Sequence, residues 1–226
     1  MRYLNLDPAS PFVALKANFR VNRPATVRLL KAQVLKTYGE SMPLGFTFWE
    51  QPGLNLGQTE DWSLIVAGST DVRRVGVPDG LEVHWPSTVD DFFADFGAEH
   101  GHWTASSPRL SRFVQVQSRD DLEQAARLGR LMIIRDAAGF AGLAAGRSEQ
   151  LFGQPGLCLI ELFLAERVRS RGWGKVLESQ FIARHHPDFG TVWGHIHAGN
   201  CPSLHTALSL GRTPLQQEYF VGLSAG

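Results

Sequence analysis

Nowhere does this sequence hold an apolar run approaching the roughly 18 residues that a membrane-spanning helix needs, so none is expected. Cysteine is nearly absent. Cys158 and Cys201 form neither a disulfide framework nor a metal-ligand spacing, so no metal is expected and a reducing cytoplasm is the simplest compartment. Net charge is missing too, because 22 basic residues balance 22 acidic ones. That balance argues against a general binder of nucleic acid or membrane surfaces. The first ten residues show no charged leader followed by an apolar stretch, so no secretory signal is expected. Lysine is scarce, four residues against 18 arginines, and with abundant Ala and Gly this is a composition that GC-rich bacterial genomes tend to produce.

What is present suits a packed protein. The 226 residues are 43% hydrophobic and 19% charged, enough for one large domain or one domain with an extension. The two halves read differently. Up to about residue 110, Pro, Gly and Ser interrupt the chain often, and the assignment of 1–110 stays open between early elements of one fold, an extra lobe and a degenerate repeat. Within it, Val27, Leu30, Val34 and Tyr38 recur at helical spacing over 25–38, and 63–67 reads as a short strand. A second helix is expected over 86–97, where Val89, Phe92, Phe93 and Phe96 form a stripe that is either core or a substrate wall. Residues 100–108 read as loop.

From about residue 111 to 226 the punctuation is regular. Strands are expected over 113–117, 131–135, 140–147, 157–164, 191–197 and 216–223, with helices over 119–128, 174–185 and 202–210 and a turn at 153–156. Residues 157–164 are almost continuously apolar, as in the middle of a sheet. The alternation implies an α/β fold with a mixed sheet, antiparallel across short turns and parallel across helical crossovers.

Between the apolar strand and the next helix lies Arg169-Ser170-Arg171-Gly172-Trp173-Gly174-Lys175. Free N–H groups at a helix start and the helix dipole favour an anion there, and the glycines let backbone approach phosphate oxygens. Arginine adds bidentate charge. Neither the dinucleotide fingerprint nor the Walker loop fits the spacing. Arg169-x-x-Gly172-x-Gly174 resembles the acyl-CoA pyrophosphate signature Q/R-x-x-G-x-G/A of the GNAT N-acetyltransferases. Around it, Glu161-Leu162-Phe163-Leu164 stands where that family has E-L-x-V, and Asn200, Ser203 and Gly211 match its N-x-x-A/S and the glycine 11 residues after the Asn. The resemblance spans about 113–223.

It implies a central splayed sheet flanked by helices, with acetyl-CoA as cosubstrate and an amine of a small molecule or protein as acceptor, in a monomer or homodimer. It also implies binding of the coenzyme by Leu162, Phe163 and Leu164, by Arg169 to Lys175, and by Asn200 and Ser203. The Leu164 backbone N–H would polarise the thioester carbonyl, and Glu161 would act as base. Glu161 alternatively pairs with an arginine such as Arg147. The family's proton-donating Tyr, seven residues after the Asn, is here Ala207; His205, Cys201 and His197 are candidate substitutes, the alternative is a thiolate that leaves unprotonated into the helix dipole, and Tyr219 of the last strand is a further candidate to reach the site. That loss keeps a non-catalytic acyl-CoA-binding module as the alternative, and an unrelated phosphate-binding α/β enzyme as a third reading.

Overall fold

The computed structural model describes residues 2–5, 12–111 and 116–223, with backbone only for 2–5, 109 and 110. Its elements are β1 (Arg2–Asn5), β2 (Phe12–Ala14), α1 (Pro24–Tyr38), β3 (Gly45–Glu50), β4 (Glu60–Ser69), β5 (Glu82–His84), α2 (Phe93–Ser106) and α3 (Pro108–Ser111). They continue with α4 (Arg119–Arg127), β6 (Leu131–Asp136), β7 (Gly139–Leu151), β8 (Gln154–Leu164), α5 (Trp173–Arg184), β9 (Thr191–His197), α6 (Cys201–Ser209) and β10 (Thr213–Gly222). The chain forms two compact units, one of residues 1–65 with 214–226 and the other of 66–213. The change in punctuation along the sequence predicts a boundary near residue 110. Residues 66–111 lie instead within the second unit, because Leu81, Val89, Phe92, Phe96 and Trp103 complete the apolar clusters around its sheet.

In the first unit β1 pairs antiparallel with β2, β2 parallel with β3, and β3 antiparallel with β10 from the far end of the chain. α1 lays Val27 and Val34, seven residues apart, into a core with Val13, Phe46, Phe48, Tyr219 and Val221.

In the second unit β5, β6, β7 and β8 pair antiparallel in succession, and β9 joins β8 in parallel through the α5 crossover. Both faces are covered. Leu157, Leu159, Ala144 and Met132 pack with Val176, Leu177 and Phe181 of α5. Leu131, Ile133, Leu143, Ala145 and Phe163 pack with Phe92, Phe96, Leu122 and Ala125 on the other face. The aromatic stripe of residues 89–96 is thus core. At about 25 cal/mol per Å² of apolar surface buried, such faces outweigh local propensity.

That explains where the elements depart from the periodicity. α2 begins at Phe93, not at 86 as expected, and continues to Ser106 through the stretch expected to be loop, despite Gly97 and Gly101, because Phe96 and Trp103 bury on one face. The expected turn at 153–156 is tighter, a two-residue reversal at Phe152 and Gly153, both left-handed at φ 50° and 84°, and residues 154–156 already belong to β8. The strand expected at 113–117 lies for residues 113–115 outside the described residues.

Candidate functional site

β8 leaves its parallel neighbour early. Pairing with β9 covers Leu157 to Leu159 opposite Val192 to Gly194, while β8 runs on to Leu164 and β9 to His197. On its other edge β8 stays paired with β7 to the end, Leu164 standing opposite Gly142. The next residue, Ala165, donates its N–H to Ala141 at 2.9 Å. Antiparallel pairs alternate between bonded and non-bonded, so Leu162 and Leu164 turn their N–H and C=O groups away from β7, toward the side that β9 has left. The Leu164 carbonyl there accepts from Arg169 and the Leu162 N–H meets the Glu161 carboxylate, so the edge is open at the Leu162 carbonyl and the Leu164 N–H.

A bulge places Glu161. Ala145 lies opposite Glu161 and Gly146 opposite Leu159, leaving Ile160 as the extra residue of β8. Leu157 and Leu159 pack on the α5 face, Ile160 and Phe163 on the opposite one, and Leu162 and Leu164 again toward α5. Strict alternation would set Glu161 beside Leu159; the bulge carries it to the face of Ala145 and Phe163. There its Oε2 accepts the Gln117 N–H at 3.3 Å. Burial pushes its carboxyl up to about 7, although the Gln117 and Leu162 N–H groups pull the other way. Arg147 is not its partner, since it pairs with Glu149 at 2.7 Å.

Beyond Leu164 a 3-10 turn at Glu166–Val168 leads into the glycine loop. Ser170 and Gly172 are left-handed at φ 63° and 78°, and α5 opens at Trp173 with no side chain capping its N–H groups. Ser170, Arg171 and Gly172 are exposed; Trp173, Gly174 and Lys175 are half-buried. A Cβ on Gly174 would lie 3.3 Å from Thr206 Oγ1 and 3.9 Å from Leu164 Cδ1, so the loop end, the last turn of β8 and α6 meet there. The Arg169 side chain turns inward. Its Nε donates to the Leu164 carbonyl at 2.9 Å and its guanidinium stacks near Phe163 and Trp103, 5.6 and 5.9 Å from the ring centres. It braces the loop against β8, and the charge turned outward is that of Arg171, whose guanidinium lies 5.7 Å from the Trp173 ring.

Asn200 begins α6 as its cap, its Oδ1 accepting the Ser203 N–H at 3.3 Å. Ala207 is fully buried, so a methyl group fills the position of the family's Tyr. Tyr219 is no substitute. Its hydroxyl accepts the Leu54 N–H at 2.9 Å and donates to the Gln51 carbonyl at 3.0 Å within the first unit's core. Cys201 and His205 are exposed on α6, and His197 Nδ1 accepts the Gly199 N–H at 3.1 Å. Sequence reasoning missed Gln117, which acts through its backbone and leaves no signal in residue type. It also missed Glu178 and Arg212, whose burial against each other has no local signal in the sequence.

The fold has counterparts among solved structures. An acetyltransferase of the GNAT family from Colwellia psychrerythraea matches with a TM-score of 0.57 at 12% identity, over 93% of this chain and 75% of its own. The fold is that of the GNAT N-acetyltransferases. A tandem GNAT protein from the clavulanic acid biosynthesis pathway matches this GNAT fold with a TM-score of 0.54 at 16% identity, over 96% of this chain and 77% of that one. A Drosophila protein gives 0.51 at 14% identity over 78% of this chain, which spans only 60% of that protein's length. No family model and no curated protein matches the sequence. Among the described residues no group of three or more His, Cys, Asp or Glu is arranged to hold a metal, and no helix is long and apolar enough to cross a membrane.

Proposed function

We propose that this GNAT-fold chain is an N-acyltransferase that moves the acetyl group of acetyl-CoA to a primary amine by direct attack in a ternary complex. The observation that carries the reading is the early parting of β8 and β9, which leaves the Leu162 carbonyl and the Leu164 N–H as an open backbone edge leading to the glycine loop. An extended amide-bearing arm can add to such an edge as a strand would. The donor set suits the coenzyme: uncapped N–H groups at the start of α5, the left-handed Gly172 and the charges of Arg171 and Lys175 fit a pyrophosphate.

Acetyl-CoA supplies an acyl group activated as a thioester. The Leu164 N–H faces the open side and would donate to the carbonyl oxygen as it gains negative charge. Glu161, with a carboxyl near 7, can accept the amine's proton close to neutral pH. Asn200 holds the start of α6 beside the gap with its Oδ1 engaged in the cap. The acceptor is an amine of a small molecule or of a protein.

One observation favours a second reading. With Ala207 in the Tyr position and the Tyr219 hydroxyl committed, neither supplies a proton to the leaving thiolate, as suits a non-catalytic acyl-CoA-binding module. Calorimetry with acetyl-CoA, followed by thiol release over a panel of amines, separates the two. Binding with release supports the transferase, binding without release under every amine supports the module, and no binding overturns both.

A further inference from the structure

Two opposite charges lie buried in the second unit and have no part in the chemistry above. Glu178 is 1% exposed and Arg212 is 2% exposed. Glu178 stands four residues after Gly174 in α5, one turn along the same helix face. Arg212 follows the left-handed Gly211, between α6 and β10. Its Nη1 donates to Glu178 Oε1 at 2.5 Å and its Nη2 to the Val66 carbonyl of β4 at 2.8 Å, while its Nε has no partner among the described residues.

Two glycines make room for this side chain. A Cβ on Gly68 would lie 3.0 Å from Arg212 Cα and Cγ, and one on Gly194 would lie 3.4 Å from Nη2 and 3.2 Å from the Leu159 carbonyl oxygen. Leu159 and Gly194 are the last residues paired before β8 and β9 separate. The guanidinium therefore sits at the fork of the two strands, bonded to the helix that opens on the glycine loop.

As a stabilising device this is a poor choice. A well-packed apolar pair of similar volume is often at least as stable as a buried ion pair, and an orphaned buried donor adds a further cost. What a forked guanidinium supplies is direction. We propose that Arg212 and Glu178 are a positioning pair that sets α5 and its loop against the strand fork, so that loop and gap hold one acyl-CoA molecule in register. The inference rests on the acetyl-CoA reading above; neither residue touches the coenzyme.

The test uses the full chain and reads melting temperature together with acetyl-CoA Kd, KM and kcat. Glu178→Gln and Arg212→Met singly should lower the melting temperature. The double variant Glu178→Met with Arg212→Met should recover it, yet bind acetyl-CoA about tenfold more weakly, with KM rising more than kcat falls. A double variant that recovers both stability and wild-type Kd overturns the inference. Should it fail to fold, Arg212→Lys decides, because lysine keeps the charge but loses the fork. A folded Arg212→Lys protein with weakened binding is the expected result. Wild-type binding in that variant, or failure of it to fold as well, marks the pair as merely structural. A wild-type protein that does not bind acetyl-CoA overturns the coenzyme reading itself, and the inference with it.

Discussion

Glu161 is an expensive residue for its position. Its carboxyl titrates near 7 against an ordinary 4.5, so the native state holds the proton more tightly than the unfolded chain does. Stability from this group is complete below the ordinary value and is lost as pH rises through about 7. The difference is equivalent to about 3 kcal/mol once the group is charged. Glu161→Gln should therefore melt higher than wild type at about pH 8 and show little gain at about pH 4.5, read by thermal unfolding. Activity runs the opposite way. A base must be deprotonated, so kcat/KM should climb through about pH 7, and Glu161→Gln should lower it by about 100-fold or more while acetyl-CoA affinity holds. A flat pH profile with unchanged turnover would remove Glu161 from the mechanism. The residue was legible in the sequence as a lone carboxylate in an apolar strand. The face it occupies was not, because the bulge at Ile160 depends on the mismatch between two paired strands.

At the scale of elements, the loop and α5 form the unit whose geometry matters. Gly172 is left-handed, and a Cβ added there would meet nothing within 4 Å, so its demand is conformational and not steric. Gly172→Ala should cost about 1 kcal/mol of stability and weaken acetyl-CoA binding, as calorimetry would show. Gly174 is different. A side chain there meets Thr206 of α6, so Gly174→Glu disturbs the contact between α5 and α6 as well as the anion site, and lost binding must be read beside a melting curve. The start of α6 depends on the Asn200 cap, and Asn200→Ala should cost about 1 kcal/mol on thermal unfolding. Most helices and strands after residue 116 were legible because their periodicity, caps and glycines agree with their packing. α2 was legible only in its first turn, since beyond it the glycines argue for loop and only the burial of Phe96 and Trp103 argues for helix.

At the scale of the whole molecule, the end of the chain completes the fold of its beginning. β10 pairs with β3, and the Tyr219 hydroxyl reaches the backbone of Gln51 and Leu54. Tyr219→Phe leaves those two backbone groups without that partner and should cost about 1–3 kcal/mol, a fall of several degrees in melting temperature. Acyl transfer should be unchanged, as a committed hydroxyl does not serve as the acid. If turnover collapses while stability holds, that assignment of Tyr219 fails.

By itself the sequence determined the order of strands and helices over most of the second unit, the glycine loop and the acidic residue beside it. Those are local matters of periodicity, capping and spacing. Only the tertiary structure decided that β8 and β9 part after Leu159 and Gly194, that Arg169 turns inward to the Leu164 carbonyl, and that residues 66–111 complete the second unit's core. Each of these depends on partners distant in sequence, where strand register and the burial of apolar faces outweigh local preference.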